Sequence, residues 1–123
     1  MRISLRSLPL LTLGSMAACG PAADRAPAGR VIDVRMLTDE AGNRFEPSEI
    51  EAHPGDRLRF TLVTGVHAVT LRDRDGAVLQ TSNTLLEVPG LTQEVTVPDA
   101  RGDFDFRCEP HVALGMTGKL HVR

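Results

Sequence analysis

Aromatic residues are scarce in this chain of 123 residues, which has no Trp, no Tyr and only four Phe. An apolar core must therefore be built mainly from Val, Leu and Ile, with these Phe residues added. The chain is too short for more than one ordinary domain. It also lacks an excess of either charge, with fourteen Lys and Arg against sixteen Asp and Glu. This balance offers no basic face for nucleic acid, so we expect no nucleic-acid partner.

The N-terminal apolar stretch, Leu8 to Ala18, is too short to span a bilayer as a permanent helix. With Arg2 and Arg6 before it, the stretch is typical of an export signal, which we predict to occupy residues 1–18. The sequence M-A-A-C-G that follows resembles the bacterial lipoprotein signal, which implies lipidation of Cys19 as the first residue of the mature chain. The alternative is an ordinary secretory cleavage nearby, which would leave Cys19 as a free thiol.

Residues 19–29 form a segment rich in Ala, Pro and Gly without apolar periodicity, and this composition predicts a flexible tether. The folded domain is predicted to comprise residues 30–123. We expect an exported protein on the periplasmic or cell-surface side of a bacterial membrane, held there by a lipid anchor at Cys19. No disulfide is expected, because Cys19 lies in the tail and the second cysteine, Cys108, is better used as a metal thiolate.

Alternation of apolar and polar residues predicts an all-β domain. It is clearest from Arg57 to Val63, where Leu58, Phe60 and Leu62 are expected to face inward. An earlier run leads from Phe45 to Ala52, and the segment 78–88 is expected to hold two short strands around a loop. No stretch has a sustained helical period. Seven or eight short strands separated by turn residues predict a β-sandwich.

The C-terminal part of the domain carries a Cys, a His and a Met at the spacing C-x2-H-x4-M: Cys108, His111 and Met116. A thiolate, an imidazole and a thioether on one short loop are three ligands for a soft metal. His67, at a break between two strands, is the best candidate for a fourth ligand. The alternative is a buried free Cys, a hydrogen-bonded His and a core Met.

The loop C-E-P-H-V-A-L-G-M, the earlier G-V-H-A-V and the run E-I-E-A-H-P-G-D-R-L-R-F resemble the cupredoxins, specifically the plastocyanin/azurin type of blue copper protein. The resemblance implies a Greek-key β-sandwich with one type 1 copper. It implies four copper ligands: His67, Cys108, His111 and Met116. Those proteins usually have Asn directly after the first ligand His, where it ties the two ligand loops together. Ala68 stands at that position here.

The ligand loop is also a candidate docking surface. In the resembling proteins the edge of the second His reaches the surface within an apolar patch and passes electrons to a redox partner. This implies transient docking through the following residues: Pro110, His111, Val112, Ala113 and Leu114. Burial of the apolar loop residues in the core is the alternative for Val112 and Leu114.

We therefore expect a one-electron carrier, with no small-molecule substrate and no enzymatic activity of its own. A copper enzyme such as a nitrite reductase needs a second copper site and a longer chain. One alternative is an exported copper carrier or storage protein, although Met36 and Met116 are the only Met residues after the signal. Another is a metal-free surface module.

His53 and His121 are expected to face solvent, without a partner at ligand spacing.

Overall fold

A computed structural model gives the structure of the chain and describes residues 29–82 and 84–123. The predicted signal, the lipidation site at Cys19 and the predicted tether up to residue 28 lie outside the described residues. The first strand begins at Val31. Among the described residues, no helix is long and apolar enough to cross a membrane.

The described residues form nine β-strands and one short 3-10 helix, and the prediction of an all-β sandwich is confirmed. The elements in chain order are β1 (Val31–Asp39), β2 (Gly42–Glu46), β3 (Glu49–Ala52), β4 (Arg57–Leu62), β5 (Thr70–Arg72), β6 (Val78–Thr81), β7 (Thr92–Thr96), β8 (Gly102–Arg107), the 3-10 helix (Glu109–Leu114) and β9 (Thr117–Val122).

The strands form two sheets, one of four strands in the order β2-β1-β4-β7 and one of five in the order β3-β9-β8-β5-β6. The pairs β1–β4 and β3–β9 are parallel, and the remaining pairs are antiparallel. Four of these seven pairs join strands that are not consecutive in the chain, and the connections pass repeatedly from one sheet to the other. This is the crossing pattern of a Greek-key sandwich.

Two segments differ from the expected strand count. The run from Phe45 to Ala52 is divided into β2 and β3, which belong to different sheets. The division falls at Pro47, which has no N–H to donate to a ladder and cannot continue a paired strand. The segment 78–88 contributes one strand, β6, and a single bridge between Leu86 and His67.

The core lies between the sheets, and the alternation in β4 is confirmed: Leu58, Phe60 and Leu62 are all buried. The Phe106 ring packs edge-on against Phe60 and Phe45, with centroids 5.3 and 4.9 Å away. Such aromatic pairs contribute about 0.5–1.5 kcal/mol each beyond their buried area. Phe106 is two residues before Cys108, so the cluster includes the end of β8 that leads into the predicted ligand loop.

Gly118 in β9 explains how the Phe106 ring fits beside the neighbouring strand. A Cβ atom at position 118 would lie 2.1 Å from Cζ of Phe106. The absence of a side chain therefore lets the ring lie directly against the β9 backbone. Since β8 and β9 pair up to Arg107 and Thr117, their connection, residues 108–116, is held at both ends.

Candidate metal centre

Backbone hydrogen bonds fix the connection between β8 and β9. The N–H of Cys108 donates to the carbonyl of Met116 (3.1 Å), that of Met116 to the carbonyl of His111 (3.2 Å), and that of His111 to the carbonyl of Cys108 (2.9 Å). Pro110 occupies the first turn of the 3-10 helix, where a missing N–H costs nothing. Gly115 ends it in the left-handed region (φ 84°), which favours glycine. Backbone hydrogen bonds thus join the three predicted ligands of this loop to one another.

His67 lies on the connection between β4 and β5. Its backbone N–H donates to the carbonyl of Leu86 (3.1 Å) and its carbonyl accepts from the N–H of Leu86 (2.7 Å), so the segment after β6 holds it in place. The imidazole Nε2 lies 3.0 Å from both the Thr64 carbonyl and the Thr38 hydroxyl. Nδ1 is thereby directed away from these partners and toward the β8–β9 connection.

The structure brings His67, Cys108 and His111 together although they come from two connections. The two Nδ1 atoms are 3.2 Å apart, and Sγ of Cys108 lies 3.9 Å from Nδ1 of His67 and 3.4 Å from Nδ1 of His111. Ligands bound to one ion at about 2.0–2.3 Å lie about 3–4 Å from one another. The three side chains therefore already have the mutual spacing of a metal-binding set, and they form such a group among the described residues.

Burial shapes the acid–base properties of this group. His67, Cys108 and Met116 are inaccessible to solvent, whereas His111 is partly exposed. Desolvation lowers the pKa of His67, which favours the neutral imidazole that a metal requires. Desolvation also raises the pKa of the Cys108 thiol, against the N–H groups of Ala68 and His111, which lower it. A metal ion bound by the thiolate would have to displace this proton.

Ala68 leaves space where a larger side chain would lie. It lines an open groove of about 300 Å³ together with residues that are mostly hydroxylic: Thr70, Thr81, Ser82, Thr84, Leu85, Glu109 and Pro110. The direct link from Ala68 to the opposite loop is its backbone N–H, 3.4 Å from Sγ of Cys108. The two loops are thus tied together through the backbone at the position of the family's Asn.

The predicted docking residues lie on the outer surface of the 3-10 helix and just beside it. Pro110 and Ala113 are exposed, Leu114 has 68% of its surface accessible, and His111 and Val112 are half-buried. Further exposed apolar side chains lie on the β4–β5 and β6–β7 connections: Val66, Leu85, Val88 and Leu91. These residues could not be singled out in the sequence, because isolated apolar residues in loops have no periodicity.

His121 faces outward, as expected, and has two carboxylate partners on neighbouring strands. Nδ1 lies 2.8 Å from Oδ1 of Asp103 on β8, and Nε2 lies 2.9 Å from Oε1 of Glu49 on β3. These hydrogen bonds, that of Asp103 first, raise the pKa of His121. His53 is exposed as expected. The cluster around His121 is on β9, facing outward, and is separate from the candidate metal centre.

The profile of a family described as "Copper binding proteins, plastocyanin/azurin family" matches residues 32–123. The chain belongs to this family. It is 28% identical over 99 residues to plastocyanin of Solanum crispum, a match that covers 74% of this chain and 99% of the relative. The expected copper cofactor is thereby confirmed, and the His–Cys–His group agrees with it.

Solved structures agree with the fold. Oxidised plastocyanin from Dryopteris crassirhizoma superposes with a TM-score of 0.61 at 27% identity, covering 75% of this chain and 100% of that one. Pseudoazurin from Methylobacterium extorquens AM1 superposes with a TM-score of 0.55 at 28% identity, covering 75% and 74%. The Greek-key cupredoxin sandwich inferred from the sequence is therefore confirmed.

Proposed function

We propose that this protein is an exported blue copper protein that carries single electrons between redox partners, with His67, Cys108, His111 and Met116 as the copper ligands. The observation that carries the proposal is the convergence of one Sγ and two Nδ1 atoms at 3.2–3.9 Å in a family of copper proteins. Met116 would be a weak fourth ligand, which is supported by its burial and by the hydrogen bond from the N–H of Cys108 to its carbonyl.

This donor set suits a reversible one-electron couple. Thiolate and thioether favour Cu(I), whereas imidazole also suits Cu(II), so a His2Cys set with a weak Met contact is a compromise between the two states. Bound copper would supply the change of oxidation state. The chain holds the candidate ligands on backbone that is hydrogen-bonded on both connections. Small ligand movement keeps the barrier to electron transfer low.

Electrons would enter and leave through His111. It is the candidate ligand that is partly exposed, and Pro110, Val112, Ala113 and Leu114 surround it. A compact apolar surface of this kind suits brief encounters with little buried area, as is typical of redox partners.

We propose no small-molecule substrate and no enzymatic activity for the chain alone. This is supported by the match to the plastocyanin/azurin family and to plastocyanin of Solanum crispum.

We further propose that residues 1–18 direct export, that Cys19 becomes lipidated and that residues 19–29 tether the domain of residues 30–123 to a bacterial membrane. The domain would lie on the periplasmic or cell-surface side. The proposal is supported by the apolar N-terminal stretch and the M-A-A-C-G sequence. Replacing Cys19 with Ser should release the protein from membranes and abolish incorporation of labelled palmitate. An unchanged membrane fraction would contradict the anchor.

The main alternative is a carrier or storage protein that delivers copper. Such proteins usually present clusters of accessible Met or His. Here Met36 and Met116 are both fully buried, which favours a retained copper over an exchangeable one. A metal-free surface module is the less favoured alternative, because it leaves the arrangement of the donor atoms unexplained.

Titration of the full chain with Cu(II), followed by visible absorption and EPR, tests the proposal. We expect an intense blue charge-transfer band and narrow copper hyperfine splitting. Both should be lost in Cys108→Ser, which removes the thiolate and retains a similar volume. Pale copper that binds weakly and is unaffected by this substitution would overturn electron transfer in favour of a carrier. The absence of copper uptake would favour the metal-free module.

A further inference from the structure

The edge of the His67 ring that points away from the metal centre contacts a side chain of the four-stranded sheet. Thr38 lies near the end of β1, and its hydroxyl oxygen is 3.0 Å from Nε2 of His67. The same hydroxyl donates its proton to Oδ1 of Asn43 over 2.7 Å. A hydroxyl that has donated its only proton can act toward Nε2 only as an acceptor. Nε2 therefore carries a proton, which it shares between Oγ1 of Thr38 and the Thr64 carbonyl, and this tautomer leaves the lone pair of Nδ1 free for the metal.

The backbone of Thr38 is itself fixed to the loop that carries His67. Its N–H donates to the Thr64 hydroxyl over 2.8 Å, and the Thr64 hydroxyl donates to the Thr38 carbonyl over 2.8 Å. Thr64 also places its own carbonyl 3.0 Å from Nε2 of His67. Two threonines thus bracket the outer edge of the ring, and β1 is connected directly to the first candidate ligand.

Gly65 provides an independent sign that the loop is built around this contact. It has φ +90°, in the left-handed region that favours glycine. A Cβ atom at this position would lie 2.2 Å from the Thr38 hydroxyl oxygen and 2.8 Å from Nε2 of His67. Any side chain at position 65 would therefore occupy the space in which the hydroxyl and the ring meet.

We propose that Thr38 is a positioning residue of the metal centre: its hydroxyl, together with the Thr64 carbonyl, holds the His67 ring in the orientation in which Nδ1 binds copper. The proposal rests on the proposed function, in which His67 is a ligand. Partners of this kind, which orient a ligating His through its other nitrogen, affect metal affinity about 10–100-fold when they are removed. When the Thr38 hydroxyl is lost, the Thr64 carbonyl remains as a partner of Nε2. We therefore expect an effect on copper affinity at the lower end of that range.

The test compares Thr38→Val, which has the same shape without the hydroxyl, with Thr38→Ser, which keeps it. In the full chain we expect Thr38→Val to weaken copper affinity about tenfold and to alter the ratio of the visible bands and the EPR hyperfine splitting. Thr38→Ser should restore both. Thr61→Val, an equivalent change on an outward-facing position of β4, should leave affinity and spectra as in the wild type. A purely structural role of Thr38 predicts lower stability of the metal-free protein with unchanged spectra.

Wild-type affinity and spectra in Thr38→Val would overturn this inference. If Cys108→Ser still abolishes the blue band in that case, the proposed function stands and only the positioning role fails. If the wild-type chain takes up no copper, both fail together. Should Thr38→Val not fold, Asn43→Ala provides the second test. It leaves Thr38 in place but removes the acceptor that orients its hydroxyl, and it should shift the same spectra in the same direction. An unshifted spectrum would overturn the inference equally.

Discussion

The backbone N–H of Ala68 donates a hydrogen bond to Sγ of Cys108 across 3.4 Å, and this bond joins the two connections that carry the candidate ligands. A hydrogen bond to the sulfur stabilises negative charge there. In a copper–thiolate site that charge is larger in the reduced state, so the bond should raise the reduction potential. Ala68 therefore acts through its backbone N–H. Substitutions at this position can change the side chain while keeping the N–H, or can remove the N–H.

Replacing Ala68 with Pro removes this N–H while the residue remains small. One hydrogen bond is worth about 0.5–1.5 kcal/mol. At 59 mV per tenfold change for one electron, this corresponds to a decrease of about 20–65 mV in reduction potential. Cyclic voltammetry of the copper-loaded protein measures it. Ala68→Gly, which keeps the N–H, should remain near the wild-type value, and an equal potential in the Pro variant would show that the bond does not tune the site.

The groove beside Ala68 leads to a second prediction. Ala68→Asn would place an amide among hydroxyl groups of Thr70, Ser82 and neighbouring residues, where it can bond to the opposite loop. We expect copper to be lost more slowly to a chelator and the copper-loaded protein to melt at a higher temperature. Ala68→Leu fills a similar volume without polar atoms and is the matched control. Equal retention in the Asn and Leu variants would attribute the gain to filling of the groove alone.

Much of the site could be predicted because its signals are local. Cys108, His111 and Met116 lie within nine residues, and the alternation in β4 indicates its buried face directly. The division of the run from Phe45 to Ala52 could not be predicted, because nothing in the local pattern shows that the residues on the two sides of Pro47 enter different sheets. Periodicity reports which face is buried and does not report which sheet receives a strand.

Contacts between distant residues could not be predicted. The Thr38 hydroxyl meets His67 across 29 residues, and a Thr near the end of a strand is ordinary by composition and pattern. The carboxylate partners of His121, Asp103 and Glu49, are 18 and 72 residues away in the sequence. Both contacts depend on strand register and sheet order, which require the folded structure.

Met116 offers a third prediction, because the axial ligand tunes the potential of such a site. Met116→Gln supplies a harder oxygen donor that favours Cu(II), whereas Met116→Leu removes the donor and favours Cu(I). We expect the potential to fall in the Gln variant and to rise in the Leu variant, with a difference of at least about 59 mV, a tenfold change in relative affinity. Met36→Leu, at a fully buried Met on β1, is the control and should leave the potential unchanged. Equal potentials in the two Met116 variants would exclude it as a ligand.

His121 gives the stability of the domain a specific dependence on pH. Its pKa is raised, first by the hydrogen bond to Asp103 and then by that to Glu49, and the pKa of Asp103 is lowered, first by His121. The raised pKa contributes stability that is fully present below the unfolded value of about 6.5 and is lost as pH rises through the folded value. The lowered pKa of Asp103 contributes stability above about 3.9, which is lost as pH falls.

The stabilisation by His121 should therefore be greatest between about pH 4 and 6.5 and should decline toward pH 8.5. Urea denaturation at pH 5.5 and 8.5 checks this in His121→Gln, whose loss of stability relative to the wild type should be larger at the lower pH. His53→Gln, at an exposed histidine, controls for the general effect of losing an imidazole. The comparison with wild type at each pH cancels the titration of the metal centre, because both proteins share it. An equal loss at both values would mean that His121 stabilises β3, β8 and β9 by packing alone and that its charge contributes nothing.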